Sequence, residues 1–103
     1  MANTTFDTAT LVQMDIDHML HPVTNLHQHA KSGPLVLTRG EGSRIYDSDE
    51  KEYIDGFAGL WNVNVGHGRV ALAEAAREQI AALAFAPTFF GLATPPAIQL
   101  AAK

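Results

Sequence analysis

The run from Asp55 to Gly68, Asp-Gly-Phe-Ala-Gly-Leu-Trp-Asn-Val-Asn-Val-Gly-His-Gly, constrains this chain more than any other segment. It holds Gly56, Gly59, Gly66 and Gly68 and the single tryptophan, Trp61, and it has no lysine or arginine. A strand pattern enters at Tyr53-Ile54-Asp55, and a helical pattern leaves after Arg69. A large aromatic ring among small residues, between two regular elements, reads as the wall of a shaped pocket. The plainer reading of a lone tryptophan is core packing. The setting of Trp61 between Gly59 and the Asn62/Asn64 pair favours the ligand-facing one.

Composition removes several classes of function. Hydrophobic residues make up 47% of the chain, enough for a core and too many for disorder. The net charge is -4, and Lys31, Lys51, Lys103 and the arginines are scattered, so no nucleic-acid partner is expected. Absence of cysteine excludes a disulfide framework and fits a reducing, cytoplasmic setting. A signal peptide is not expected, because the first positive residue is Lys31 and Asp7, Asp15 and Asp17 interrupt the early apolar residues. Residues 79–102 are uncharged, yet Pro87, Gly91, Pro95 and Pro96 break them, so no membrane span is expected.

Residues 1–10 read as a loose polar lead. Leu11 to Leu20 is loosely helical and stops at His21-Pro22, because a residue before proline is pushed out of the helical region. Another helical turn is expected within Val23 to Ala30, then a loop at Ser32-Gly33-Pro34. Strands are predicted over Leu35–Arg39, Ser43–Asp47 and Glu52–Asp55, joined by Gly40-Glu41-Gly42 and Ser48–Lys51 into an antiparallel meander. Arg69–Leu83 is predicted as a helix with an apolar stripe at Leu72, Ala76, Ile80 and Leu83. Ala84–Gly91 reads as an aromatic loop in which the adjacent Phe89 and Phe90 cannot both enter one local core. Thr94 is expected to N-cap a helix with Pro95 at its first position. That helix meets no stop signal by Lys103 and is shorter than the roughly 12–15 residues an isolated helix needs. The chain therefore reads as the N-terminal piece of something longer.

Four of five histidines cluster: His18, His21, His27 and His29, with Asp15 and Asp17 nearby. A metal centre would need three or more to converge. Pro22 separates the two pairs and no metal motif matches, so the expectation is surface imidazoles and no metal site. Gly66-His67-Gly68 reads as a flexible strand-to-helix turn rather than an anion nest. His67 has no carboxylate partner that the sequence places beside it.

Taken together, several stretches resemble class III pyridoxal-phosphate aminotransferases, the omega-aminotransferase branch in particular. They are His21-Pro22-Val23-Thr24, Arg39-Gly40-Glu41-Gly42, Asp47 to Asp55, the Gly59-Leu60-Trp61 run, Thr88-Phe89-Phe90, and Pro95 to Leu100. The resemblance implies an α/β parent of fold type I, homodimeric, using pyridoxal 5'-phosphate. That parent would move an amino group from an amine or ω-amino acid donor to a keto-acid acceptor such as pyruvate. Residues 1–68 would be the N-terminal segment and small-domain meander, and 69–103 the start of the large cofactor-binding domain. The Asp55 to Gly68 run would be the strand that reaches the substrate pocket. Leu60, Trp61 and Val23 would line that pocket; relatives often carry an aromatic where Val23 stands, so the pocket is expected to be roomier. Phe89 or Phe90 would approach the partner subunit's active site. The family's phosphate loop, the aspartate that pairs with the pyridine nitrogen and the cofactor-binding lysine are expected after Lys103. No catalytic or cofactor-binding residue is therefore assigned here, and the segment alone is expected to be inactive. Two alternatives are a related enzyme on the same fold, such as a decarboxylase or aminomutase, and a non-catalytic binding module.

Overall fold

A computed structural model of the chain describes residues 7–103. These form two units, one ending at Gly68 and the other running from Arg69 to Lys103. The first unit opens with helix α1, Thr8–His18, earlier than the polar lead predicts. Its start is held by the Asp7 carbonyl, which accepts from the Leu11 amide, and by a Thr10–Asp7 side-chain contact. Leu11, Val12, Asp15 and Ile16 are half-buried on it, the pairs 11/15 and 12/16 each four residues apart as one face of a helix requires. Helix α2, Leu26–Ser32, begins where Asn25 caps the Gln28 amide at 3.1 Å. It ends at Gly33, whose φ of +67° suits glycine. A Cβ there would lie 2.3 Å from Val12 Cγ1, so the missing side chain lets the end of α2 rest on α1.

Three antiparallel strands follow in the order β1 (Leu37–Glu41), β2 (Arg44–Asp47) and β3 (Glu52–Ile54). The predicted meander is present with a shifted first hairpin. Gly40 and Glu41 belong to β1, pairing with Ile45 and Arg44, and the turn closes over Gly42 and Ser43. Gly42, at φ +57°, supplies the left-handed residue such a tight hairpin needs. Leu35 and Val36 lie outside the strand, and a bulge falls between Leu37 and Arg39, where Thr38 Oγ1 donates toward the Asp47 carbonyl at 3.1 Å.

Asp47 anchors the second turn. Its Oδ1 accepts the amides of Asp49 and Lys51, both at 3.0 Å, and its Oδ2 accepts the Tyr53 hydroxyl at 2.8 Å. It is the one residue in the buried class among those described, at 6% exposure. The Tyr53 hydrogen bond comes first in holding its carboxyl below the usual range, against desolvation, with the two amides adding to it. The sign follows. A depressed folded pKa stabilises above the unfolded value of about 3.9 and is lost as pH falls through the folded value. We predict that hydrogen-exchange protection of the Asp49 and Lys51 amides, corrected for the intrinsic rate, falls with acidification in the wild type. In Asp47→Asn it should be low throughout; an equal acid-induced fall in that variant would place the titrating group elsewhere.

The second unit contains α4, Val70–Ala82, every residue of which is exposed. Its predicted stripe is present but uncovered, with Leu72, Ile80 and Leu83 all exposed. A single 3-10 turn, Phe89–Gly91, then precedes α5, Pro95–Ala101. Thr94 occupies the N-cap position with Pro95 following, but its side chain makes no capping bond, contrary to expectation. Among the described residues no apolar side chain is buried, and no helix is long and apolar enough to cross a membrane.

Candidate functional site

The residues after β3 form a feature that the sequence does not announce. Instead of continuing as a strand, Ala58, Gly59, Leu60 and Trp61 make one helical turn, α3, with φ values of +55°, +57°, +63° and +65°. Left-handed backbone costs an L-residue roughly 1–2 kcal/mol, and three of these four are not glycine. Nearby polar groups hold the turn. Asp55 Oδ1 accepts the Gly59 amide at 3.0 Å. The amides of Trp61 and Asn62 donate to the Phe57 and Ala58 carbonyls, both at 2.9 Å. Asn62 Nδ2 donates to the carbonyls of Gly59 at 3.1 Å and Leu60 at 2.9 Å. Strain held by its surroundings is a recurring mark of sites where a side chain must be displayed in one direction.

Asp55 is the pivot. Its Oδ2 faces His67 Nε2 at 2.8 Å, and its side chain is only 7% exposed. The Gly59 amide comes first, and the His67 hydrogen bond second, in holding its carboxyl below the usual range. His67 is fixed in turn by the β-bridge between its own backbone and Gly42, with amide-to-carbonyl distances of 2.8 and 3.1 Å. Gly40 makes room for the imidazole, since a Cβ there would lie 2.6 Å from His67 Cγ. The sequence reading of His67 as a flexible turn residue without a carboxylate partner is therefore corrected. The partner stands twelve positions upstream, a separation with no local signature.

Around these residues lies an open cleft of about 420 Å³, lined among others by Gly42, Asp55, Phe57, Trp61, Asn64 and His67. Trp61 is 77% exposed and is one of the residues that line this cleft. Leu60 is displayed on the same turn but is not a lining residue, and Val23 is fully exposed in the turn between α1 and α2, away from the lining. Phe89 and Phe90 belong to the second unit, where their rings meet edge to face at 6.3 Å and Phe90 has φ +61°. The histidine cluster also departs from expectation: Asp15, His21 and His29 converge, while His18 and His27 stay exposed.

The described residues do not fit the seat of a carbonyl-bearing cofactor. Such a seat needs a lysine whose amine is driven neutral by burial or a neighbouring cation. Lys31, Lys51 and Lys103 are all exposed, and the Lys51 ammonium lies 5.1 Å from the centre of the Tyr53 ring.

Comparison with known proteins agrees with this distribution. The sequence model of the class-III aminotransferases matches residues 26–103. The chain is 44% identical over 85 residues to the putrescine–pyruvate aminotransferase of Pseudomonas aeruginosa, covering 82% of this chain and 19% of that protein. It superposes on a thermostable (S)-enantioselective omega-transaminase from Thermomicrobium roseum with a TM-score of 0.91 at 64% identity, covering 95% of this chain and 22% of the other. The omega transaminase of Pseudomonas jessenii, solved in complex with PMP, gives 0.82 at 40% identity, covering 87% and 20%. The chain thus spans about a fifth of the length of these relatives. Fold type I and dependence on pyridoxal phosphate are properties of that family. The decarboxylase, aminomutase and binding-module alternatives find no support in these matches. By the extent of the matched sequence and the likeness of its fold, the chain belongs to the class-III aminotransferase family.

Proposed function

We propose that the complete protein is a pyridoxal-phosphate-dependent omega-transaminase. It moves an amino group from an amine or ω-amino acid to a keto acid such as pyruvate, and this segment supplies one wall of its donor pocket. The observation that carries the reading is the left-handed turn Ala58–Trp61, which sets Trp61 on the cleft and is braced by Asp55 and Asn62. The cofactor, when bound, supplies the carbonyl that accepts the amino group and the electron sink that lets the donor's α-proton leave. This segment's task is different: to admit, orient and shield the donor. Trp61 offers a flat apolar face to the amine substituent. Leu60, displayed on the same turn, and Val23 stand outside the lining of this cleft; in this reading they join the donor wall in the complete protein, where Val23 leaves more room than an aromatic would. A variant of the Pseudomonas jessenii enzyme with a tryptophan replaced by glycine was engineered for asymmetric synthesis of enantiopure bulky amines, which supports a tryptophan as a size gate.

In the same reading the protein is a cytoplasmic homodimer. Residues 1–68 belong to the N-terminal segment and small domain, and 69–103 begin the large one. Phe89 or Phe90 reaches toward the partner subunit's active site. Their exposure here, at 72% and 96%, leaves apolar area for another surface to cover. The test is to purify the complete protein and assay a panel of primary amines and ω-amino acids with pyruvate, reading alanine. Amine-dependent alanine formation is expected; release of CO2 or an intramolecular amino shift without alanine would sink the proposal.

A further inference from the structure

Asp15, His21 and His29 come from three successive pieces of chain: helix α1, the turn after it, and helix α2. Both imidazoles present Nε2 to one carboxylate. His21 Nε2 lies 2.8 Å from Asp15 Oδ2 and 3.0 Å from Oδ1, while His29 Nε2 lies 2.7 Å from Oδ1. The two rings stand 4.4 Å apart, inclined at 44°, so they do not stack and both nitrogens point to one place. One ligand atom from each residue falls within 4.8 Å of the others. Asp15 and His29 are largely covered, at 12% and 11% side-chain exposure, and His21 is the open side at 28%.

We propose that Asp15, His21 and His29 form a binding site for a borderline divalent cation of the zinc class. Two imidazole nitrogens and one carboxylate oxygen are the donor set such ions take, whereas Mg²⁺ and Ca²⁺ seek oxygen shells. Metal–ligand bonds of about 2.0–2.2 Å would draw the three atoms onto a common centre. Water would complete the coordination on the exposed His21 side. The cation takes the place of the two hydrogen bonds that now join the imidazole Nε2 atoms to the carboxylate. Bound, the ion clips α1 to α2 across the fourteen-residue separation of Asp15 and His29. It stands apart from the cleft around Trp61, and the inference does not depend on the transaminase reading.

The experiment uses the untagged full chain, stripped with a chelator and titrated with ZnCl2 by calorimetry, with CoCl2 as the optical probe. One Zn²⁺ per chain is expected, with MgCl2 and CaCl2 unable to displace it. His29→Ala should weaken binding by at least about a hundredfold, the upper end of what loss of a second-shell partner does. His18→Gln and His27→Gln should titrate as wild type. If His29→Ala does not fold, Asp15→Asn keeps the side chain's shape and carries the same expectation. Paramagnetic broadening of the His21 and His29 ring protons by sub-stoichiometric Co²⁺ needs no variant at all. Absence of uptake, or weak uptake spread over all histidines and indifferent to His29, overturns the proposal.

Discussion

Incubated with pyridoxal 5'-phosphate, an amine and pyruvate, the 103-residue chain by itself is expected to form no alanine above the cofactor-only background. Transamination needs an amine nucleophile that is neutral near pH 7 and held beside the cofactor. Lys31, Lys51 and Lys103 are all exposed, and none of them lines the cleft around Trp61. Any adduct should be slow and spread over the three lysines and the amino terminus. Borohydride reduction followed by peptide mapping reads this directly. Stoichiometric labelling of one lysine, with amine-dependent alanine, would mean that this segment alone holds a complete site.

Much of the fold was legible because short-range chemistry writes it. The polar cluster Ser48-Asp49-Glu50-Lys51 between Tyr46 and Tyr53 marks the second hairpin, and Asp47 closes it with bonds to residues two, four and six positions away. The spacing of Leu72, Ala76, Ile80 and Leu83 announces α4. The first hairpin was misplaced because Gly40 looks like a turn residue. Its real use is to clear space for the His67 imidazole, a contact across 27 positions that pattern reading does not reach.

The candidate site was legible in its residue types and not in its shape. Trp61 was singled out from its glycine-rich setting, yet Ala, Leu and Trp have no preference for left-handed backbone. That conformation is imposed by side-chain bonds from Asp55 and Asn62, so it becomes visible only once their positions are known. The histidines failed in the opposite way. Their density was evident, but Pro22 seemed to separate the pairs, whereas the turn it makes is what returns His29 to Asp15.

Trp61→Ala in the complete enzyme is expected to change which amines are accepted far more than it changes cofactor retention. Trp61 is held on a turn whose backbone bonds do not involve its indole, so truncation leaves the turn in place. With Trp61 on the donor wall as proposed, removing the indole enlarges that pocket, and apolar pocket contacts are worth about 1–3 kcal/mol in discrimination, roughly 10–200-fold. Bulky aromatic amines should gain relative to small aliphatic ones. Bound pyridoxal phosphate should stay near one per subunit, because no residue of this turn fits the cofactor's seat. The most direct measurement is the ratio of kcat/KM for a bulky amine to that for a small one, in wild type and in Trp61→Ala, with cofactor content read from the absorbance of the same samples. A ratio shifted about tenfold or more toward the bulky amine at unchanged cofactor content is the predicted result. An unchanged ratio accompanied by loss of the cofactor would contradict the pocket-wall role of the Ala58–Trp61 turn.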